Sequence, residues 1–277
     1  MSTKTLLITG CSSGIGYDAA HGMRARGWRV FASCRKEEDC QRLSDEGFES
    51  PRIDYQDEAT IHAGLKEVLE ATGGTLDALF NNGAFASPGL LEDLPTDGLR
   101  AIFEANVFGW HTLTRAVIPV MRAQGRGRIV QNSSILGFVA QPWRGAYVAS
   151  KFAVEGLTDT MRLEMRGTGI AFILIEPGPV TSKIRENAMA HFERWIDWED
   201  SARAADYKTL MTRLYGENTA RDRFELPASS VAKKLVHALE APRPRPRYYV
   251  TTPTYLAGYL KRVLPTRALD WVLMRGN

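Results

Sequence analysis

Two hydrophobic periods alternate along the chain. Short apolar, β-branched runs at 5–9, 30–33, 76–80, 128–132, 171–175 and 248–251 predict strands, and a weaker run at 52–53 predicts one more. Helical stretches lie between them, the first over 15–26 after a glycine-rich turn. Runs such as AFILI are apolar at every position, as expected of a parallel sheet covered on both faces, because neither face meets water. Right-handed crossovers between such strands predict an α/β fold with a single doubly wound parallel sheet and helices on both faces. Ligands would then gather beyond the carboxyl ends of the strands, where the strand order reverses. No repeat or low-complexity linker interrupts the pattern, so residues 1–277 read as one domain.

Composition narrows the class. Hydrophobic residues make up 44% and charged residues 24%, the balance of a globular protein with a sizeable core. A net charge of +3 is too small to mark a nucleic-acid binder, and the excess lies at the C-terminus. There Arg243, Arg245, Arg247, Lys261, Arg262, Arg267 and Arg275 face only Asp270. Cys11, Cys34 and Cys40 form no CxxC pair, and the N-terminus runs into a strand pattern without a signal-peptide stretch, so a cytoplasmic protein is expected. No apolar run approaches the ~18 residues of a membrane-spanning helix. His21, His62, His111, His191 and His237 make no HExxH-like pair, and no metal is expected.

Residues 9–16, TGCSSGIG, follow the first strand and open the first helix, the context that a dinucleotide-binding turn requires. Gly10 permits the tight turn, Gly14 lets the backbone approach a pyrophosphate, and Gly16 lets the helix pack closely. Ser12, Ser13 and Ile15 complete the expected contacts at a helix N-terminus that attracts anions. An enzyme of this kind that prefers NAD carries an acidic residue ~20 positions on, at the end of the second strand. Here that position is Cys34, followed by Arg35 and Lys36, which would attract a 2′-phosphate, so NADP(H) is expected rather than NAD(H). Glu37, Glu38 and Asp39 come next and would partly cancel that field.

Tyr147 and Lys151 lie four apart in a helical stretch, so they share a face and can address one ligand. With the glycine turn, this YxxxK pair makes the chain resemble the short-chain dehydrogenase/reductase family, from Thr5 to about Val250. NNGA, Asn81 to Ala84, is similar to the family's NNAG, and Asn82 is expected at the cofactor; exchanging two small residues should leave that turn intact. Asn106 in EANVFG matches the active-site asparagine. Ser134, thirteen residues before Tyr147, matches the catalytic serine, with Ser133 pointing to the other side of the strand end. PGPVTS resembles the segment that closes over the nicotinamide, through Pro177, Gly178, Val180, Thr181 and Ser182; the family's threonine falls at Ser182, with Thr181 one position early. Asp54 resembles the aspartate that meets the adenine, although a loop carboxylate is an equally ordinary role for it.

The resemblance implies a Rossmann fold and an NADP(H)-dependent oxidoreductase acting on a small apolar carbonyl or alcohol substrate, as hydroxysteroid and retinol dehydrogenases and bacterial aldehyde reductases do. It implies that Tyr147 gives the proton, that Lys151 stabilises the tyrosinate and holds the ribose, that Ser134 orients the substrate oxygen, and that Asn106 anchors a water. It also implies a homodimer or homotetramer. Two alternatives remain: an NAD(P)-dependent alcohol or hydroxysteroid dehydrogenase working oxidatively, and a catalytically silent NADP(H) sensor. Residues 183–225, with Met189, Phe192 and Ile196 at helical spacing beside Trp195 and Trp198, read as a helical lid over a bulky apolar substrate or as cover for the core. In the extension 252–277, Tyr255, Leu256, Tyr259, Leu260, Val263 and Leu264 form a basic amphipathic stripe, suited to packing on the lid or a partner subunit, or to peripheral membrane contact.

Overall fold

Leu6 and Ile8 of the first strand pack into one hydrophobic cluster, and Leu7 between them packs into another. The same split recurs where Ile173 and Ile175 join the first cluster and Phe172 and Leu174 the second. Side chains alternate across a strand, so continuous apolar runs are what a sheet with two covered faces demands. In the computed structural model, which describes residues 3–215 and 223–275, six parallel strands form that sheet: β1 (Thr5–Ile8), β2 (Arg29–Ala32), β3 (Ala78–Asn81), β4 (Gly127–Asn132), β5 (Ile170–Pro177) and β6 (Arg247–Val250). Their order is β2-β1-β3-β4-β5-β6. The direction of winding reverses between β1 and β3, so a crevice opens beyond their carboxyl ends.

One face is covered by α1 (Gly14–Arg24) and α9 (Ser229–Glu240), which bring Ala20, Met23, Val231 and Leu235 to the sheet. The helix α2 (Glu37–Asp45) adds Cys40 and Leu43. The other face is covered by α3 (Glu58–Ala71), α5 (Gly109–Gln124) and α6 (Gly145–Glu164), through Leu65, Leu113, Val117 and Val154. Between them α4 (Thr96–Phe103) runs into a π-helical turn, Glu104–Phe108, that leads directly into α5. Among the described residues no helix is long and apolar enough to cross a membrane.

One expectation needs correction, and the structure narrows two others. The stretch 52–53 contributes only an isolated bridge, Cys34 to Arg52, alongside β2. Pro51 has no amide hydrogen to extend a ladder there. The lid region forms α7 (Ile184–Trp195) and α8 (Ala204–Tyr215), and residues 216–222 of it lie outside the described residues. Its apolar stripe turns inward: Phe192 and Ile196 pack with Tyr207 into a satellite core against Leu90, Leu94 and Trp143, so they cover rather than line an open pocket.

The C-terminal stripe faces outward. Pro265 divides the extension into α10 (Thr252–Val263) and α11 (Thr266–Arg275), with Leu264 extended as a residue before proline must be. In α10 the small residues Thr254, Ala257 and Gly258 face inward, while Tyr255, Leu256, Tyr259 and Val263 are exposed. The reason is the ring of Tyr249: a β-carbon on Gly258 would lie 2.7 Å from it, so only a small residue lets the helix approach. The expected packing of this stripe on the lid is therefore absent among the described residues.

Gly109, at the junction of the π turn and α5, makes a tight inter-element approach that bears on the site. A β-carbon there would lie 2.4 Å from the Tyr55 carbonyl oxygen and 2.5 Å from Tyr55 Cβ. Gly109→Ala should destabilise the protein by about 1–3 kcal/mol, the usual range for overpacking, seen as a lower urea midpoint. An unchanged midpoint would contradict the close approach.

Candidate active site

The glycine turn is fastened to the loop after β3 by side chains rather than by its glycines. Asn82 Nδ2 donates to the carbonyls of Thr9 (3.0 Å) and Gly10 (3.2 Å), and its Oδ1 accepts from Asn132 Nδ2 (2.8 Å). Thr9 Oγ1 accepts from the amides of Asn82 and Gly83 and contacts the Tyr55 hydroxyl at 2.7 Å. Gly10 adopts φ +67°, and a β-carbon on it would meet Gly83 Cα at 2.5 Å, so the two loops touch backbone to backbone. The turn thus survives the NNGA order. Gly16 lies against the Gly10 carbonyl, where a β-carbon would fall 2.2 Å away. Ser13 caps α1 by position, with no side-chain bond to the first-turn amides, which leaves them for an anion.

At the end of β2, Cys34 is fully buried, and burial pushes its thiol up to about 12, so this position carries no charge. Arg35 and Lys36 are exposed beside it and enter no ion pair among the described residues. The neighbouring acids are partly occupied: Glu37, Glu38 and Asp39 form the first turn of α2, where carboxylates favour the helix dipole, and Asp39 pairs with Arg42 at 3.3 Å. Asp54 accepts the Gln56 amide at 3.0 Å, a local turn contact that ties down one of its oxygens.

The helix α6 brings Tyr147 and Lys151 onto one face, with Lys151 Nζ 5.5 Å from the Tyr147 ring centroid. Lys151 is almost wholly buried, at 1% exposure; its ammonium donates to the Asn132 carbonyl at 2.8 Å and lies 4.3 Å from the Trp110 ring centroid. Burial lowers its pKa to about 7, opposed by the negative charge of Glu155. Burial also pushes the half-buried Tyr147 up to about 12, countered by the Arg144 charge and by hydrogen bonding with Ser134. Ser134 Oγ accepts the Leu136 amide at 3.1 Å and faces the Pro177 carbonyl at 3.5 Å. Ser133 turns to the other side, towards Glu155.

Asn106 sits in the π turn with its side chain already engaged. Its Oδ1 accepts the Phe85 amide (3.1 Å), and its Nδ2 donates to the Phe85 carbonyl (2.9 Å) and to Ser150 Oγ (3.2 Å). Ser150 in turn donates to the Tyr147 carbonyl at 2.8 Å, so Asn106 braces the first turn of α6. A water at this residue would need its backbone rather than its amide. In the segment after β5, Gly178 leaves no room for a side chain, since a β-carbon would lie 2.3 Å from Thr251 Oγ1. Val180 bridges to Leu226, and Thr181 donates to Glu225 Oε1 at 2.6 Å, away from the glycine turn. Ser182 is the residue that meets that turn, 3.2 Å from where a β-carbon of Gly14 would stand.

Asn132, Trp110, Tyr55, Ser150 and Glu155 belong to the site and were not singled out from the sequence. Only Glu155 had a local signal, one helical turn beyond Lys151. Comparison with known proteins bears on the family. The short chain dehydrogenase family matches residues 4–192. The oxidoreductase YbbO of Escherichia coli K12 is 36% identical over 98% of this chain and 94% of its own length. An NADPH-dependent 3-dehydrocapnine reductase of Ornithobacterium rhinotracheale is 29% identical, over 97% and 95%. A short chain dehydrogenase/reductase of Burkholderia phymatum, solved in complex with NAD, superposes with a TM-score of 0.77 at 27% identity, covering 99% of this chain and 95% of that one. A Tyr147–Lys151 pair behind a glycine turn, in a chain matched along nearly its whole length, places the protein in the short-chain dehydrogenase/reductase family of oxidoreductases.

Proposed function

We propose that the protein is an NADP(H)-dependent oxidoreductase that moves a hydride between nicotinamide and the carbonyl or alcohol carbon of an apolar substrate. The observation that carries this is the convergence of Ser134, Tyr147 and the buried Lys151 at the carboxyl ends of β4 and β5. The bound cofactor supplies the hydride chemistry. Gly10, Ser12, Ser13, Gly14, Ile15 and Gly16, with the open α1 amides, would hold its pyrophosphate, and Asn82, Asp54, Pro177, Gly178, Val180 and Ser182 would make the remaining cofactor contacts.

Charge that develops on a substrate oxygen needs a donor in place before the reaction. Tyr147, held neutral by burial, is the proton source, and Ser134 orients the oxygen beside it. Lys151 supplies a positive charge near the phenol and thereby stabilises the tyrosinate left after proton transfer. Asn106 acts as a brace for α6, and Lys151 reaches solvent protons through a water on the Asn106 backbone. Around Tyr147 lie Ile135, Leu136, Phe138, Val139 and Val148, an apolar wall that favours an apolar substrate.

Arg35 and Lys36 beside the uncharged Cys34 support NADP(H) over NAD(H), in line with the NADPH dependence named for the reductase relative. Exposed Phe108 at the entry to α5 and Leu157 and Leu163 on α6 support a homo-oligomer formed through these helices. The three free, buried cysteines fit a reducing cytoplasm.

With NADPH and a graded panel of aldehydes and ketones, Tyr147→Phe should lower kcat by about 10²–10⁴-fold while leaving NADPH affinity within a few-fold. Equal turnover in the variant would sink the mechanism. Arg35→Ala should reduce the NADPH-to-NADH affinity ratio by roughly 10–100-fold, the value of a charge-assisted phosphate contact. An unchanged ratio in binding titrations would remove the NADP(H) assignment.

A further inference from the structure

Behind the catalytic turn lies a buried charge cluster that the chemistry above does not use. Arg247, the first residue of β6, sends Nη1 to Glu155 and Glu176 and Nη2 to Asp159. Glu176 is fully buried on β5, next to Pro177, whose carbonyl faces Ser134 Oγ. Glu155 is 7% exposed and one helical turn from Lys151. Three carboxyls thus converge on one guanidinium; Asp159 is partly exposed, whereas Glu155 and Glu176 are buried, and a medium of low dielectric does not hold two carboxylate charges against one guanidinium.

The hydrogen bonds show where the excess is relieved. Glu155 Oε1 and Glu176 Oε2 are buried without a hydrogen-bond partner, and an ionised carboxylate, which only accepts, cannot supply one to the other. The two carboxyls are within hydrogen-bonding reach of each other, so a proton on one gives the other a donor. The turn after Ser134 rests on this pair, since a β-carbon on Gly137 would lie 2.5 Å from Ser133 Oγ and 3.0 Å from Glu155 Oε1. We propose that Glu155 and Glu176, clamped by Arg247, share one proton at neutral pH and act as positioning residues that set the pH range in which Lys151 stays charged.

Burial pushes both glutamates upward, Glu176 to about 8, with the neighbouring Glu155 charge as its second cause. Lys151 moves the opposite way, and Glu155 is the charge that resists its loss of a proton. The groups that face the pair are Lys151 and Asp159 on α6, Arg247 on β6, and Lys261 on α10, whose ammonium also feels Glu155. Asp159 is further engaged by Arg162 at 3.1 Å. Because the pair holds one negative charge between two sites, removing either carboxyl moves that charge. Without Glu155 the charge sits on Glu176 of β5 and is no longer on the helix of Lys151. Without Glu176 it sits wholly on Glu155.

The kinetic part of the test rests on the proposed carbonyl reduction, and the spectroscopic part does not. In the wild-type protein, infrared difference spectra against Glu176→Gln should show the carbonyl stretch of a buried protonated carboxyl at pH 7, lost as the pH passes about 8. In NADPH-dependent reduction, the alkaline limb of kcat should move to lower pH in Glu155→Gln and to higher pH in Glu176→Gln, by about one unit or less for one charge a helix turn away. A purely structural cluster would lower the melting temperature and scale kcat at every pH without displacing the limbs in opposite directions. Absence of the protonated-carboxyl band at pH 7, or limbs that stay fixed or move together, overturns the proposal. Lack of turnover with every carbonyl would count against the reductase function, and the infrared band would still decide the shared proton.

Discussion

Keeping an ammonium group in the interior at 1% exposure requires several kcal/mol of compensation, and in this protein that group is Lys151 Nζ. Its three supports come from different parts of the chain: the Asn132 carbonyl at the end of β4, the Trp110 ring on α5, and the Glu155 carboxyl one turn along α6. All three must be in place together, so the packing of α5 and α6 on the sheet fixes the site as well as filling the core. The π turn that carries Asn106 belongs to the same constraint. It enters α5 where Gly109 meets Tyr55, and its asparagine ties the loop at Phe85 to Ser150 in the first turn of α6.

The same economy holds at the cofactor end. Asn82 links the glycine turn to β4 through Asn132, whose carbonyl then receives Lys151. Asn132 therefore connects the place where a pyrophosphate would rest to the place where a proton would move. Two side chains and one carbonyl thus link the glycine turn to the lysine.

Features with a local cause were legible in the sequence. The six strands follow from short continuous apolar runs, the glycine turn from its position between a strand and a helix, and the Tyr147–Lys151 face from a spacing of four, and the order of motifs pointed to the family. Features decided by tertiary approach were not. Arg247 sits in a basic, proline-rich run that resembles a solvated surface segment, yet its guanidinium is turned onto three carboxyls. The support given to Lys151 by Asn132 is a backbone carbonyl, which no residue type announces. The stripe of α10 was read as packing on the lid, on a partner subunit or on a membrane surface, whereas the inward face of this helix is set by Gly258, the small residue that the Tyr249 ring admits. Pro51 ended the expected edge strand for a local reason that could have been read in advance.

Transfer of deuterium from NADPH labelled at the reactive carbon of the nicotinamide to an apolar aldehyde tests the central claim most directly. The account predicts one deuterium on the carbinol carbon of the alcohol product, delivered to a single face. Tight NADPH binding with no label transferred to any aldehyde or ketone would contradict it and would favour a protein that senses the cofactor without turning it over.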